Sequence, residues 1–246
     1  MRLSRIPRFA AAIGLLLVGG AWSRLCKADD SWGGSLGLTS DYLVRGISRS
    51  NDEAALQLDV HYSNTNGFMA GVFASNAQLD PRDRRDIEFS GFIGYAWNLN
   101  EDWRTRVLAT HYAYPWNREG TQYDYDEVDL DVAYQSWLHF DVEYSPDAPR
   151  YAPYPYDRLI SVAQKSAEVS LQRQIIGKLS ATGGLGYSFL DGPESGGYVY
   201  WSVGGAYELR SVSLVLSYVD TSAEAKALFY NAAAAGRWVG TVLWRF

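Results

Sequence analysis

The sequence has almost no cysteine and few histidines, which limits its chemistry. Cys26 is the one cysteine among 246 residues, and it lies in an N-terminal segment that we expect to be removed. An exported chain without cysteine forms no disulfide and offers no thiolate nucleophile. The histidines, His61, His111 and His139, occur outside any H-E-x-x-H, G-x-S-x-G, H-x-S or EF-hand spacing. We therefore expect no catalytic residue, no metal site and no cofactor, and we do not expect an enzyme.

Long apolar runs are also scarce, and the main one lies at the N-terminus. Residues 9–22 read FAAAIGLLLVGGAW, which is shorter than the roughly 20 residues that a membrane-spanning helix needs. Three arginines precede this run, and C-K-A at 26–28 places small residues at positions −3 and −1 of a cleavage site after Ala28. The pattern is typical of a secretory signal peptide at residues 1–28, and it favours this reading over a single N-terminal anchor helix.

Basic charge becomes scarce once that segment is removed. The full chain carries 22 basic and 28 acidic residues, a net charge of −6. Five of the basic residues and none of the acidic ones lie within residues 1–28, so the mature chain has 17 against 28, a net charge of −11. A protein this acidic binds the phosphate backbone poorly, so we expect no nucleic-acid partner.

Aromatic residues and glycine, by contrast, are abundant, with 18 Tyr, 9 Trp and 23 Gly. In the stretch 126–144, DEVDLDVAYQSWLHFDVEY, apolar residues alternate with ionisable ones. A period of two indicates β-strands. Twelve such strands are predicted after the signal, at residues 32–43, 54–63, 67–76, 85–97, 103–114, 124–134, 138–145, 166–175, 178–189, 197–208, 211–220 and 237–246.

Short and long connections alternate between these strands. NTN at 64–66 and QSW at 135–137 are short, whereas the Pro/Tyr-rich segment 146–165 is long. Outer-membrane barrels show this alternation, with short periplasmic turns and longer external loops. We therefore predict an all-β fold over residues 29–246, a transmembrane antiparallel up-and-down β-barrel of about 12 strands.

The last strand, RWVGTVLWRF, carries a further signal. Trp244 and Phe246 share one face and Arg245 lies on the other, so the chain ends in an alternating strand with a terminal Phe. This arrangement resembles the assembly signal of bacterial outer-membrane barrels. It predicts an integral outer-membrane protein whose partners are outer-membrane lipid and the barrel-assembly machinery. Monomeric and trimeric barrels share the pattern, so the oligomeric state is left open.

Residues 40–76 read SDYLVRGISRSNDEAALQLDVHYSNTNGFMAGVFASN. This stretch resembles the N-terminal signature of the TorF family, Gram-negative outer-membrane proteins classed as porins. The matching residues are Ser40, Asp41, Tyr42, Arg45, Gly46 and Ser48, then Asp59, His61, Tyr62, Gly67, Phe68, Gly71, Ser75 and Asn76. The resemblance implies an outer-membrane barrel with a pore function and no assigned substrate. It suggests that Arg45 and Gly46 lie in a rim loop with a structural role at the barrel edge.

If lipid surrounds the barrel, the apolar residues point outward and the acidic ones point into a wet lumen. The turn at 135–137 then places like charges directly opposite each other on the inner face, which destabilises a sheet. Water in a wide lumen, bound cations, or arginines of a neighbouring strand could offset this repulsion. Arg104 and Arg106 have the required parity, and we expect them opposite Ala96 and Gly94. The candidate pore-lining and selectivity residues are Glu127, Asp129, Asp131, Asp141, Glu143, His139, Arg104, Arg106, Asp59, His61 and Glu88.

These observations predict a channel for passive diffusion of small hydrophilic solutes or ions. Rings of carboxylates favour cations, so we expect a cation-leaning lumen. The alternative is a non-conducting barrel that is plugged, structural or binds through its loops. Segment 146–165, with Tyr151, Tyr154 and Tyr156, either folds inward as a constriction, covers the mouth and stacks on a solute, or stays a plain surface loop.

Overall fold

The computed structural model of the protein describes residues 30–79, 86–116, 123–152, 158–192, 195–229 and 232–246. The predicted signal peptide lies outside them. Twelve strands form one closed antiparallel barrel, and two short strands form a separate hairpin. Within these ranges, no helix is both long enough and apolar enough to cross a membrane.

The elements follow the predicted order closely. They are β1 (Ser31–Thr39), β2 (Leu43–Val44), β3 (Ile47–Ser48), β4 (Ala55–Ser63), β5 (Phe68–Ala77), β6 (Asp86–Asn98), β7 (Trp103–Ala113), β8 (Tyr125–Tyr134), β9 (Leu138–Ala152), β10 (Arg158–Ile176), β11 (Leu179–Leu190), β12 (Gly196–Leu209), β13 (Val212–Thr221), α1 (Ala223–Leu228) and β14 (Arg237–Arg245). Barrel strands that are consecutive in the chain are neighbours in the sheet, and β14 pairs with β1 to close it. The predicted fold class is confirmed.

The connections lie at two ends of the barrel. The short ones, which define what we call the turn end, are residues 64–67, 99–102, 135–137, 177–178 and 210–211. The longer ones start at residues 40, 78, 114, 153, 191 and 222 and define the loop end. Because the sheet is antiparallel throughout, this placement confirms the predicted alternation of short and long connections.

Side chains alternate between an apolar outside and a polar inside. On β8, Val128 and Leu130 are 48 % and 39 % exposed, whereas Glu127 and Asp129 are 5 % and 9 % exposed. Successive Cβ atoms of a strand point to opposite faces of the sheet. When the sheet closes, one face becomes the outside of the barrel and the other becomes its inside. Closure also pairs the backbone groups of every strand, which removes the free edges of an open sheet.

Aromatic pairs lie on the outside near both ends. At the turn end, the rings of Trp103 and Tyr134 lie 5.0 Å apart between centroids. At the loop end, Tyr218 and Trp238 lie 5.5 Å apart. Tyr and Trp are enriched at membrane–water interfaces, and these two pairs lie where the two interfaces of a bilayer would be.

The barrel is closed by a short seam between the first and last strands. β1 and β14 pair from Ser35 opposite Arg245 to Thr39 opposite Thr241. Two backbone bonds extend the seam, because Gly34 N donates to Phe246 O at 3.1 Å and Phe246 N donates to Gly34 O at 3.0 Å. The chain-terminal residue is therefore part of the closure.

The segment 146–165, which we predicted to be a loop, is mostly sheet. β9 continues to Ala152 and β10 begins at Arg158, so the two strands extend beyond their predicted ends. Pro149 lies within β9 and opposite Ser161. The prolines misled the prediction because proline is rare in central strands, although an edge or rim position tolerates it. Outside the described part of the chain lie the side chain of Tyr151 and the residues Tyr154 and Tyr156.

The connection between β1 and β4 folds into the bore of the barrel. Arg45 and Gly46 have φ angles of +51° and +76° and form the two-residue turn between β2 and β3. Such turns suit the twist of a hairpin, and glycine adopts positive φ without strain. We call residues 41–50 the lumen hairpin. Arg45 is only 4 % exposed, so its predicted place in a rim loop is wrong.

Apolar side chains of the lumen hairpin explain why it turns inward. Val44 clusters with Phe73 on the wall, and Ile47 clusters with Leu190 and Tyr200. Exposing these groups to water on the rim would cost free energy in proportion to their apolar area. The loop end of the bore is therefore a small packed core.

Candidate functional site

Arg45 reaches across the bore to carboxylates on the opposite wall. The hairpin starts from β1 and β4, and β9 lies on the far side of the closed sheet. The Nε of Arg45 donates to Glu143 Oε2 at 2.6 Å, and its Nη2 donates to Glu127 Oε2. All three side chains are only 5–6 % exposed. Charge-assisted hydrogen bonds of this kind are among the strong ones, so the tip of the hairpin is fastened to β8 and β9.

Groups of the wall orient the two carboxylates. The Ser166 hydroxyl donates to Glu143 Oε2 at 2.5 Å, and the Tyr112 hydroxyl lies 3.5 Å from Glu127 Oε1. Burial of Arg45 lowers its pKa, but the carboxylates of Glu127 and Glu143 outweigh this and hold the pKa well above its usual value. Arginine is not deprotonated in proteins, so the guanidinium carries its positive charge here.

Glu88 is the second attachment point of the lumen hairpin. The Tyr42 hydroxyl donates to Glu88 Oε1 at 2.8 Å, and the Tyr114 hydroxyl donates to Glu88 Oε2. Arg49 lies beside this pair, with its Nη1 3.3 Å from the Tyr114 hydroxyl and its guanidinium 5.8 Å from the centre of the Tyr125 ring. Glu88 thus faces the lumen, as predicted, where it anchors the hairpin.

Asp41 ties the base of the hairpin together. Its Oδ1 accepts hydrogen bonds from the hydroxyls of Ser48 at 2.6 Å and Ser50 at 2.7 Å. Its Oδ2 accepts one from Arg237 Nη1 on β14 at 2.6 Å. Nearby, Gly240 N donates to the hydroxyl of Ser40 at 3.1 Å. The first six residues of the family resemblance, Ser40, Asp41, Tyr42, Arg45, Gly46 and Ser48, therefore build one inward-folded unit.

Toward the turn end, carboxylates form two cross-strand rows. Asp129 lies opposite Glu143 and Asp131 lies opposite Asp141, which confirms the register predicted from the 135–137 turn. Directly opposed like charges destabilise a sheet unless something offsets them.

The neighbouring strand β7 supplies one offsetting charge. Arg106 Nη2 lies 3.8 Å from Asp129 Oδ1 and 3.9 Å from Asp131 Oδ1. His139 Nδ1 lies 2.9 Å from Asp131 Oδ2. Of the three offsets considered from sequence, an arginine is therefore present, although its contacts are longer than hydrogen bonds.

The predicted register of β7 against β6 is wrong by two residues. Arg106 lies opposite Ala96 rather than Gly94, and Arg104 lies opposite Asn98 rather than Ala96. The pairing of β6 continues to Asn98, so the turn is shorter than the NLNED segment suggests. A shift of two keeps the face of each side chain, so both arginines retain their lumen parity.

The other two histidines lie on opposite faces of the sheet. His61 Nδ1 lies 2.6 Å from Asp59 Oδ1, and both residues are buried on the inner face. His111 lies outside, where its Nδ1 is 2.8 Å from Asp126 Oδ1 and its side chain is 60 % exposed. Among the described side chains, no group of three or more His, Cys, Asp or Glu is arranged to hold a metal ion.

Several buried polar atoms near the turn end lack a hydrogen-bond partner among the described residues. They are Thr105 Oγ1, Arg106 Nε, Asp129 Oδ1, His139 Nε2, Gln172 Oε1, Thr182 Oγ1, Glu208 Oε1 and Arg245 Nε and Nη2. Others, such as Asp86 Oδ2, Ser90 Oγ and the side-chain amide of Gln57, lie toward the loop end. Leaving such a group unsatisfied costs about 1–3 kcal/mol, and more if it is charged. Solvent that enters the bore from the turn end would remove the cost for the atoms there.

Sequence analysis did not identify three residues that help to hold the lumen hairpin. Arg49 of the hairpin lies 3.3 Å from the Tyr114 hydroxyl, Tyr114 donates to Glu88, and Arg237, at the start of β14, donates to Asp41. One signal was available: the apolar residues Leu43, Val44 and Ile47 flank the Arg45-Gly46 dipeptide within a segment assigned to the rim. A short apolar–turn–apolar run indicates a buried hairpin.

Comparisons with known proteins agree with this architecture. The chain is similar to the solved structure of NanC porin, with a TM-score of 0.57 at 10% identity, over 87% of this chain and 98% of that one. It is also similar to KdgM porin, with a TM-score of 0.52 at 10% identity, over 87% of this chain and 99% of that one. At this identity, the likeness concerns the fold alone. No curated protein matches the chain.

A family model covers the barrel from end to end. It describes a bacterial protein of unknown function (Gcw_chp), and it matches residues 29–244. This match spans all fourteen strands except the final residue of β14. The chain therefore belongs to the Gcw_chp family of bacterial proteins of unknown function.

Proposed function

We propose that the protein is an outer-membrane porin-like channel through which small hydrophilic solutes or ions diffuse passively. One observation carries the proposal: the apolar side chains are exposed on the outside of a closed barrel, and the charged ones line its bore. In water this arrangement would expose a large apolar surface. In a bilayer it satisfies both faces, because lipid meets the apolar band and water fills the interior.

The same proposal includes the route to the membrane. Residues 1–28 act as a cleaved signal peptide, and Trp244 and Phe246 present the assembly signal at the end of β14. The resemblance to TorF porins supports this route, and the porin folds among the similar structures support the function. The protein acts without a cofactor and is not an enzyme in this proposal.

The proposed selectivity is for cations. Asp129, Asp131 and Asp141 line the bore below the hairpin, and Arg106 is the cation that approaches the first two. One similar solved structure is that of KdgM porin in complex with disordered oligogalacturonate, a carboxylate-rich sugar. Adjacent carboxylate rows repel such a polyanion, so we propose cations and uncharged solutes for this chain instead.

A second candidate function is a non-conducting barrel. The lumen hairpin favours it, because this segment crosses the bore from β1 to β9 and is held by buried ion pairs at its tip. A barrel that is closed in this way would serve as a structural or loop-binding protein.

Planar-bilayer conductance of the refolded mature protein under a KCl gradient separates the two candidates. We expect discrete conductance steps with a reversal potential that favours K⁺. A matched variant, in which residues 42–49 are replaced by a short Gly/Ser linker, is expected to conduct several times more because the bore is then clear. If the native barrel is silent and this variant conducts, the native protein is plugged. If both folded barrels are silent, the channel proposal is wrong.

A further inference from the structure

We propose that Glu127 and Glu143 form a guanidinium-binding site on the lumen wall, which the chain occupies with its own Arg45. A free solute that bears a guanidinium group would bind the same two carboxylates in competition with Arg45. The passage of such a solute rests on the proposed channel function, whereas the binding site itself does not.

The two carboxylates are placed by the barrel and not by the hairpin. They belong to adjacent strands, and because Asp129 is the residue opposite Glu143, Glu127 lies diagonally from Glu143 on the same face. Diagonal neighbours across an antiparallel pair lie about 7–8 Å apart, with their Cβ atoms somewhat closer. That separation leaves room for one planar cation between the two carboxylates, with a hydrogen bond to each.

Wall residues complete the site. Ser166 on β10 bonds Glu143, and Tyr112 on β7 approaches Glu127, so four neighbouring strands hold the pair in place. Both carboxylates are about 6 % exposed. Two buried carboxylates side by side repel each other and lose hydration, so the pair requires a cation.

Guanidinium fits this requirement better than a compact ammonium. Its N–H groups lie in a rigid plane and donate in fixed, diverging directions, which matches two separate acceptor carboxylates. The present occupant uses the site in this way, because Arg45 donates through Nε to one carboxylate and through Nη2 to the other.

The hairpin therefore acts as a tethered competitor. It enters from the loop end, the side from which an external solute arrives in the proposed orientation, and it presents Arg45 at the very tip of its turn. Tethering gives the Arg45 side chain a high effective concentration at the site, so a free solute competes poorly with the native hairpin.

The variant Arg45→Gly tests the site directly. Position 45 has a φ of +51°, which glycine adopts readily, so the turn is preserved while the guanidinium is removed. Guanidinium chloride at millimolar concentration is the probe, and binding to the refolded protein in detergent micelles is measured by calorimetry. We expect saturable binding to Arg45→Gly, none to the native protein, and at least about tenfold weaker binding of methylammonium to the variant.

Removing the carboxylates supplies the control. Arg45→Gly combined with Glu127→Gln and Glu143→Gln keeps the shape of the site without its charge, and we expect no guanidinium binding. Equal guanidinium binding to this triple variant, or no guanidinium binding to Arg45→Gly, would show that the proposed site is wrong. If Arg45→Gly fails to refold, as judged by heat-modified gel migration, refolding is repeated with millimolar guanidinium chloride present, which we expect to restore folding while methylammonium does not. Equal recovery with the two cations, or none with either, would overturn the site.

Calorimetry measures guanidinium binding independently of conductance, so failure of the site and failure of the channel can be distinguished. If guanidinium binds but no folded variant conducts, the binding-site proposal stands and the channel proposal is wrong. If Arg45→Gly conducts, and guanidinium neither binds to this variant nor blocks its conductance, the channel proposal stands and the binding-site proposal is wrong. Block of that conductance by guanidinium, absent in the triple variant, would support both.

Discussion

The two halves of the bore use the same chemistry with different geometry. At the loop end, Arg45 donates two hydrogen bonds to Glu127 and Glu143, one of them at 2.6 Å. Toward the turn end, Arg106 also lies between two carboxylates, but at 3.8 Å and 3.9 Å. An arginine between acids can therefore either lock an element in place or partly neutralise a row, depending on whether hydrogen bonds form.

The surroundings of Arg45 and Arg106 also differ. Arg45 donates to both of its carboxylates beside the apolar contacts of the lumen hairpin, whereas Arg106 Nε and Asp129 Oδ1 have no hydrogen-bond partner among the described residues. Coulombic attraction and the cost of a missing partner both grow as the effective dielectric constant falls. We therefore expect substitutions at the loop end to affect stability and those near the turn end to affect ion preference.

The largest expected effect on stability comes from Glu143→Gln. The change leaves the buried Arg45 with a single carboxylate and removes the charged acceptor of the Ser166 hydroxyl. Loss of one partner of a buried ion pair typically costs about 3 kcal/mol. Urea unfolding of the barrel refolded into lipid vesicles, followed by tryptophan fluorescence, measures this change.

Asp191→Asn is the matched control for that substitution. Asp191 pairs with Lys165 at 3.2 Å, but the two side chains are 41 % and 59 % exposed. An exposed pair of this kind contributes less than about 1 kcal/mol. Equal losses from the two variants would mean that the Arg45 cluster is no stronger than a surface pair.

A smaller effect is expected from Gly46→Ala. Position 46 has a φ of +76°, and a Cβ there would lie 2.6 Å from Thr221 Cγ2 and 2.9 Å from Tyr200 Cβ. Left-handed backbone and overpacking together predict a loss of about 2 kcal/mol in the free energy of unfolding. The same urea titration applies, with Gly91→Ala as control because nothing lies within 4 Å of a Cβ at that position. An unchanged midpoint for Gly46→Ala would show that the hairpin tip is loosely seated.

The smallest effect on stability, and the largest on selectivity, is expected from Asp129→Asn with Asp131→Asn. Arg106 lies 3.8 Å and 3.9 Å from these carboxylates, too far for hydrogen bonds, and asparagine can still accept from His139 Nδ1. The change also removes the repulsion from Glu143 and Asp141 directly opposite, so the free energy of unfolding should change by about 1 kcal/mol or less. Removal of two lumen carboxylates should move the reversal potential under a KCl gradient toward zero. Asp126→Asn, on the outer face with a side chain 64 % exposed, should leave that potential unchanged. A shift toward stronger K⁺ preference in the double variant would contradict the proposal that these two carboxylates line the lumen and favour cations.

The barrel could be predicted from sequence because its determinants are local. Alternation along β8 and β9 assigns each side chain to a face, and the tight turn, with Gln135 and Ser136 at positive φ, fixes the register between them. The 99–102 connection was harder, because nothing in its composition shows where pairing stops, and the register of Arg106 was misplaced by two residues.

The site depends on contacts that are distant in sequence, and this is why it was only partly predicted. The carboxylates at 127 and 143 were identified by parity, but their partner Arg45 lies 82 and 98 positions away. A loop residue carries no periodic signal that specifies its destination. Only the apolar residues beside the Arg45-Gly46 turn indicate burial, and they do not specify against which strands.

The seam between β1 and β14 has a consequence for how the protein folds. Most strand pairs join neighbours in the chain, but this one joins residues about 200 positions apart, such as Ser35 and Arg245. Loop-closure entropy makes such distant pairing slow, so the seam is expected to form after the hairpins. Until then the growing sheet has two unpaired edges, which can template pairing with other chains. The lifetime of that open sheet therefore sets the period during which the protein is most prone to aggregate.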